Sequence, residues 1–383
     1  MKKYFITILL AFAITGNPVY AARDTATASL NPIMTDIGKA MLDLYPLIVA
    51  QREFTERDVA HISESLAKLS KLFRQAQPYI DERSDAYQIS YEFISRYLEV
   101  LKTILETSHV DYARSYLHAL GEICTSCHTQ DTTLRTLFRG TTRKDFASDY
   151  AFAELNYMTR DYQKAVNYYE KYLMSPQRKT ELNVIQPLQR IVTIYTQIEN
   201  RPAEGAGILQ KYTSLKQHTP ETREALEGWI QGLKALQSDH AGNSEVTSFE
   251  TLQSYVARYL GDTEKLSLHI ESTPKQEVLR IWLRGQLYHY LNRQPPGSEV
   301  PMLLYWLSVT DRSIAYNFYF SLADLYLRQC VLKYPDHPYA RRCYAEYKHY
   351  VDYTYQRQGE EIPSGIAQEI QEMQKALSHV KKN

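Results

Sequence analysis

In nearly every segment from Asn31 onward, apolar residues recur at intervals of three and four, and no convincing strand pattern of alternating apolar and polar residues is found. That spacing, kept over so much of a 383-residue chain, restricts the fold to packed helices. Composition agrees: only 14 Gly and 15 Pro over this length suit long helices with short connections. The expected fold class is all-α, with a helical bundle followed by a longer array of helices.

The first periodic segment is expected to start with Asn31 as N-cap and Pro32 at the first helical position. Its apolar face is Ile33, Met34, Ile37, Met41 and Leu44, and Pro46 is expected to kink or end it. A second helix is expected behind Thr55 and Asp58, which are spaced as a capping box, with Val59, Ile62, Leu66, Leu69, Leu72 and Phe73 on one side and Pro78 near its close. A third runs from near Ser84 and presents Tyr87, Tyr91, Ile94, Leu98, Leu101 and Leu105. A fourth follows Ser108, with Val110, Ala113, Tyr116, Leu117, Leu120 and Ile123 on its stripe. Four amphipathic helices with short connections predict an up-down-up-down bundle over residues 30–140. In that topology Met34 lies at the same end as the close of the fourth helix.

The fourth helix leads into Cys124-Thr125-Ser126-Cys127-His128. Two thiols three residues apart on a helical turn suit addition to the two vinyl groups of haem, and the following imidazole then faces the iron. A thioredoxin-like reading needs a preceding strand, and the flanks here are helical. A zinc reading needs a second ligand pair nearby, whereas the other two cysteines are Cys330 and Cys343. The expected cofactor is therefore one covalently attached haem c, held through Cys124 and Cys127 with His128 as the proximal iron ligand.

The N-terminus fits this chemistry. Lys2 and Lys3 precede the apolar run Tyr4 to Ile14, which is too short to span a bilayer. Gly16, Asn17 and Pro18 follow, and Val19-Tyr20-Ala21 offers small residues at the −3 and −1 positions of a cleavage site. Residues 1–21 are expected to be a secretory signal peptide, the mature chain soluble and the destination the periplasm, where disulfides form. With 44 basic and 44 acidic residues the formal net charge is zero, so composition offers no general argument for nucleic acid or an anionic membrane as partner.

Residues about 30 to 130 resemble cytochrome c-prime and its low-spin relatives, four-helix bundles with CxxCH on the last helix. The resemblance rests on the helix count, the terminal CxxCH and the run Met34-Thr35-Asp36-Ile37-Gly38-Lys39-Ala40-Met41. It implies that Met34 sits over the distal face of the haem, with Gly38 and Met41 at the places where the family has a small residue and often a Met. Met34 would then be the distal iron ligand of a His/Met haem suited to electron transfer. The chain departs from the family at Leu30, where an Arg is common, and at Asp131 and Thr132, where an aromatic-Arg pair is common; both bear on propionate contacts. Without Met34 the iron is five-coordinate or takes a His, of which His61 is the conceivable one. His109 and His118 share a helix with His128 and are expected at the surface.

Past Arg139-Gly140-Thr141-Thr142 the pattern changes. The segment Asp161-Tyr162-Gln163-Lys164-Ala165-Val166, followed by Tyr169-Glu170-Lys171 and Pro176, resembles a tetratricopeptide repeat, with Phe152-Ala153 as the large-small pair of its first helix. Further helices are expected at 188–198, 203–215, 222–236, 248–260, 276–291, 316–334 and 339–353. Residues 145–355 are thus read as a TPR-like α-solenoid, a surface for protein-protein contacts. Residues 356–383 are read as a charged tail ending in one exposed helix, Ile366 to Val380. Cys330 and Cys343 are nearly equidistant from the turn Pro335–Pro338, so an antiparallel hairpin brings them into disulfide range, contributing roughly 3 kcal/mol. The 32 Tyr are expected mainly as packing residues with wet hydroxyls.

No catalytic triad, phosphate loop or carboxylate pair emerges, and no enzymatic activity is expected. The expected role is electron transfer with a periplasmic redox partner docked through the repeats. A haem-based gas sensor or a scaffold or assembly protein is the alternative.

Overall fold

The computed structural model describes residues 18–48, 54–80, 85–106, 116–117, 120, 141–175, 181–215, 218–239, 245–262, 272–314, 322–355, 359, 361–362 and 364–379. Within these the chain is all-α, and no strand occurs among the described residues. Three long helices come first: α1 (Pro18–Ile48), α2 (Glu56–Ile80) and α3 (Asp85–Glu106). After a short 3-10 turn at Arg143–Asp145 follow α4 (Asp149–Met158), α5 (Tyr162–Met174) and α6 (Glu181–Thr193). A π-helical turn at Ile194–Ile198 leads to α7 (Pro202–Gln210), α8 (Pro220–Ser238), α9 (Phe249–Leu260) and α10 (Pro274–Asn292). The chain closes with α11 (Val300–Arg312), α12 (Ala323–Lys333), α13 (Pro338–Tyr355) and α14 (Ser364–Ser378).

Local chemistry explains several starts. Thr55 caps α2: its N–H donates to Asp58 Oδ2 at 2.8 Å, and the Asp58 N–H donates to Thr55 Oγ1 at 3.2 Å. These are the two reciprocal bonds of a capping box, satisfying donors that the first helical turn leaves orphaned. Ser148, Thr219, Ser248 and Thr273 cap α4, α8, α9 and α10 through their hydroxyls.

The start of α1 corrects the sequence expectation. The helix runs from Pro18 through Asn31, and both Pro32 and Pro46 lie inside it. Both prolines sit on its exposed side. There the carbonyl left without its donor can turn to water, so a proline need not end the helix.

Two apolar cores form. In the first, α1 contributes Ile37, Met41 and Leu44, α2 contributes Ile62, Leu66 and Leu69, and α3 contributes Ile94, Leu98 and Leu101. The expected fourth helix lies largely outside the described residues. Its Leu117 and Leu120 are 1% exposed in this same core, and the Tyr97 hydroxyl donates to the Tyr116 carbonyl at 2.8 Å. The second core runs through α5 to α14.

The boundary between the cores crosses single helices. On α4, Phe152, Leu155 and Met158 face the first core, while Ala153 and Tyr157 face the second. On α3, Ile89 is fully buried in the second core, and the Ser90 and Tyr288 hydroxyls share a hydrogen bond of 3.3 Å. Helix α3 of the expected bundle is thus packed directly against α10 and α12.

Helix α11 was not read from the sequence. Nearly every residue from Val300 to Asp311 is buried, so it has no polar face to generate a period. The C-terminal helix forms as expected, but it is not an exposed tail. Met373 is fully buried and α14 packs on α12 and α13. Its stripe of Ile366, Ile370, Met373 and Leu377 removes apolar surface from water, which outweighs the charged character of the segment.

Candidate functional site

Cys124, Cys127 and His128 lie outside the described residues, as do His109 and His118. The described part of the candidate site is the face of α1 that carries Met34. Residues 34, 38 and 41 share one side of the helix, since positions four and seven apart are neighbours on its surface. Gly38 is buried, Met41 is 4% exposed, and Met34 is half-buried against the first core. Thus α1 sets a thioether at the edge of an apolar core, with the smallest residue one turn away. Of the four donors that the haem expectation names, Met34 alone lies among the described residues, and its thioether is a donor type that haem iron accepts.

His61 takes a different position. Its Nε2 lies 3.5 Å from Asp43 Oδ2, at the partly exposed seam of α1 and α2. Among the described residues no group of three His, Cys, Asp or Glu side chains could hold a metal ion.

The pair Cys330–Cys343 forms a disulfide between α12 and α13, with Cα atoms 6.3 Å apart and both residues fully buried. The turn of Tyr334 to Pro338 brings the two helices together as the symmetric spacing predicted.

The structure adds a set of buried charges that the sequence did not reveal. Arg284 on α10 donates to Asp311 on α11 at 2.6 Å, with side chains 2% and 1% exposed. The other Asp311 oxygen accepts the Leu322 N–H at 2.9 Å, tying the start of α12 to the same carboxylate. Arg280 donates to the Ser313 carbonyl at 3.1 Å, and Arg312 donates to Glu346 at 3.1 Å and Asp324 at 2.8 Å. Nearer the first core, Glu154 accepts from Tyr169 and pairs with Arg190 at 3.4 Å. Burial, then the nearby Glu154 carboxylate, holds the Tyr169 phenol well above the usual range. Each of these charges has a partner, which is what makes its burial tolerable. The arrangement joins helix to helix. No sequence signal marks it, because Arg and Glu at these spacings equally suit a solvated face.

A cavity of about 840 Å³ opens between α2, α3 and α12, lined by Phe73, Tyr91, Glu92, Arg96 and Gln329 among others. Its charged groups pair with one another: Arg96 with Glu92 at 3.3 Å, and Arg74 with Glu99 at 3.9 Å.

No protein-family model, curated protein or solved structure matches this chain.

Proposed function

We propose that this protein is an exported, periplasmic mono-haem c-type cytochrome that transfers electrons and docks a redox partner through a TPR-like helical array. The observation that carries the reading is Cys124-Thr125-Ser126-Cys127-His128 at the end of a helix-patterned segment, behind a leader of secretory type. The fold supports it in one respect. Leu117 and Leu120, which lead into the motif, are buried in the core that α1 enters with Met41 and flanks with Met34. That is the packing a four-helix haem bundle requires of its first and fourth helices.

In this reading Cys124 and Cys127 carry the thioether bonds, His128 is the proximal ligand and Met34 the distal one. Bound there, the haem supplies a reversible one-electron couple. The chain's own contribution is to keep Met34 on a rigid helix with Gly38 beside it and the Met41 and Leu44 side chains excluding water below. The helix pairs α4–α5 and α12–α13, each packed face to face, support the repeat reading of the second region. Among the described residues no helix is long and apolar enough to cross a membrane.

The test is the visible spectrum of protein made in a host with haem-ligation machinery. A covalently held, low-spin haem is expected. Met34→Ala should turn the oxidised form high-spin while the haem stays attached, and Cys124→Ala with Cys127→Ala should leave the protein colourless. A colourless wild-type protein with both thiols open to alkylation overturns the proposal. An unchanged Met34→Ala spectrum overturns the distal ligand alone.

A further inference from the structure

We propose that α14 is an in-chain stand-in for a partner: it covers a groove on α3, α12 and α13 that takes an acidic amphipathic helix, and it lifts to release that groove. The groove joins parts of the chain far apart in sequence. Arg96 on α3 donates to Glu369 on α14 at 2.6 Å, and the Tyr347 hydroxyl on α13 donates to the same carboxylate at 2.8 Å. Arg328 on α12 lies 3.7 Å from Glu372 and also donates to Glu92 of α3. Two arginines from different helices therefore face two acids placed three residues apart on α14, the spacing that sets side chains on one face of a helix. Between them the stripe Ile366, Ile370, Met373 and Leu377 rests on the second core. The recognition pattern is that of a helix laid in a groove, with apolar anchors about one turn apart and acids flanking them.

Two observations favour a helix that lifts. Met373 is the only fully buried side chain of α14, and the rest of its apolar stripe is half-buried. The anchors differ in exposure: Arg96 and Glu372 are 44% exposed and Glu369 22%, while Arg328 is 14% exposed and Tyr347 is buried. Exposed ion pairs hold weakly, and elements with little burial open well before a domain unfolds. Gly359 sits ahead of α14 with φ +74°, a conformation glycine adopts without strain, so the chain can turn sharply there. While seated, the tethered helix competes at an effective concentration near millimolar, so a partner must supply more contacts than α14 does.

The inference is independent of the haem reading. The probe is a fluorescent peptide of residues 364–379, and the test protein is the full chain carrying Glu369→Arg and Glu372→Arg, which repels its own helix from both arginines. The peptide should bind this variant at least tenfold more tightly than wild type. Adding Arg96→Glu and Arg328→Glu should abolish that binding. Hydrogen exchange on wild type should show α14 amides exchanging faster than those of α10 and α11. Three results overturn the proposal: no peptide binding to the loosened variant, α14 amides protected as strongly as the core helices, or a concentration-dependent dimer that places the helix of a second copy in the groove.

Discussion

The two cores of this chain are built from different materials. Among the described residues of α1, α2 and α3, every buried side chain is apolar apart from glycine and three serines, Ser65, Ser70 and Ser90. The second region buries Arg190, Arg280, Arg284, Glu277, Asp311 and Glu346 among its aromatic and aliphatic side chains. An apolar core tolerates small shifts of one helix against another, because dispersion and hydrophobic burial are non-directional. Paired charges do not: a guanidinium and a carboxylate must meet at bonding distance or each is left desolvated. The first region can therefore be specified by volume and pattern. The second is pinned at particular points, as Asp311 shows by engaging α10, α11 and the start of α12 at once.

The largest effect should come from breaking one such pin. Asp311→Ala strands Arg284 in a buried setting and should cost about 3–5 kcal/mol in urea unfolding. Replacing both residues with Leu and Met should recover most of that loss; if the double variant is as unstable as the single, the difference drawn between the cores fails. Leu98→Ala is the matching test in the first core and should cost about 2–5 kcal/mol through lost burial and the cavity it leaves.

Next in size is the disulfide. The Cys330–Cys343 bond spans 13 positions, and replacing both residues with Ala should cost about 3 kcal/mol. Hydrogen exchange should rise in α12 and α13 and little in α2.

Gly232→Ala follows. A Cβ there would stand 2.7 Å from the Lys275 carbonyl oxygen and 2.7 Å from Val278 Cβ, so α8 and α10 would have to separate. Overpacking of this kind costs about 1–3 kcal/mol.

The smallest effect is on pH dependence. Burial, then the Glu299 carboxylate that accepts its hydroxyl, pushes the Tyr290 phenol up to about 12, and Tyr212, Tyr259 and Tyr347 are raised further. An unfolded tyrosine titrates near 10. The folded protein thus keeps these protons longer, and the stabilisation is complete below about pH 10 and lost as pH climbs through 12. Tyr290→Phe should flatten part of this alkaline decline; an equal slope in both proteins would assign the decline elsewhere.

How much could be read in advance varied with how local the cause was. The capping box of Thr55 and Asp58 was legible because its bonds join residues three apart. The pairing of Cys330 with Cys343 was legible because a hairpin turn relates them by symmetry. The stripes of α2 and α3 were legible because each has one wet face and one dry face. For the candidate site, the motif and Met34 stand out in the sequence, while the half-buried setting of Met34 beside a buried Gly38 comes from helix packing. Helix α11 went unread because burial on all sides erases the period. The continuation of α1 through Pro32 went unread because a proline on the exposed side of a helix can be accommodated when the freed carbonyl turns to water, and which side it takes is set by packing. The docking of α14 went unread because its charges read as solvent-exposed until Arg96 is brought to Glu369 from 273 positions away.

The sequence by itself determined that the chain is helical, where most helices lie, and which two cysteines join. Each of these follows from residues within one helix or one turn, so covalent spacing and helical geometry suffice. Only the tertiary structure decided that α3 and α4 serve two cores, that α14 lies on α12 and α13, and that Arg284 finds Asp311. Those outcomes depend on which surfaces meet after folding, where the desolvation of each charge is offset only by a partner that chain order does not name.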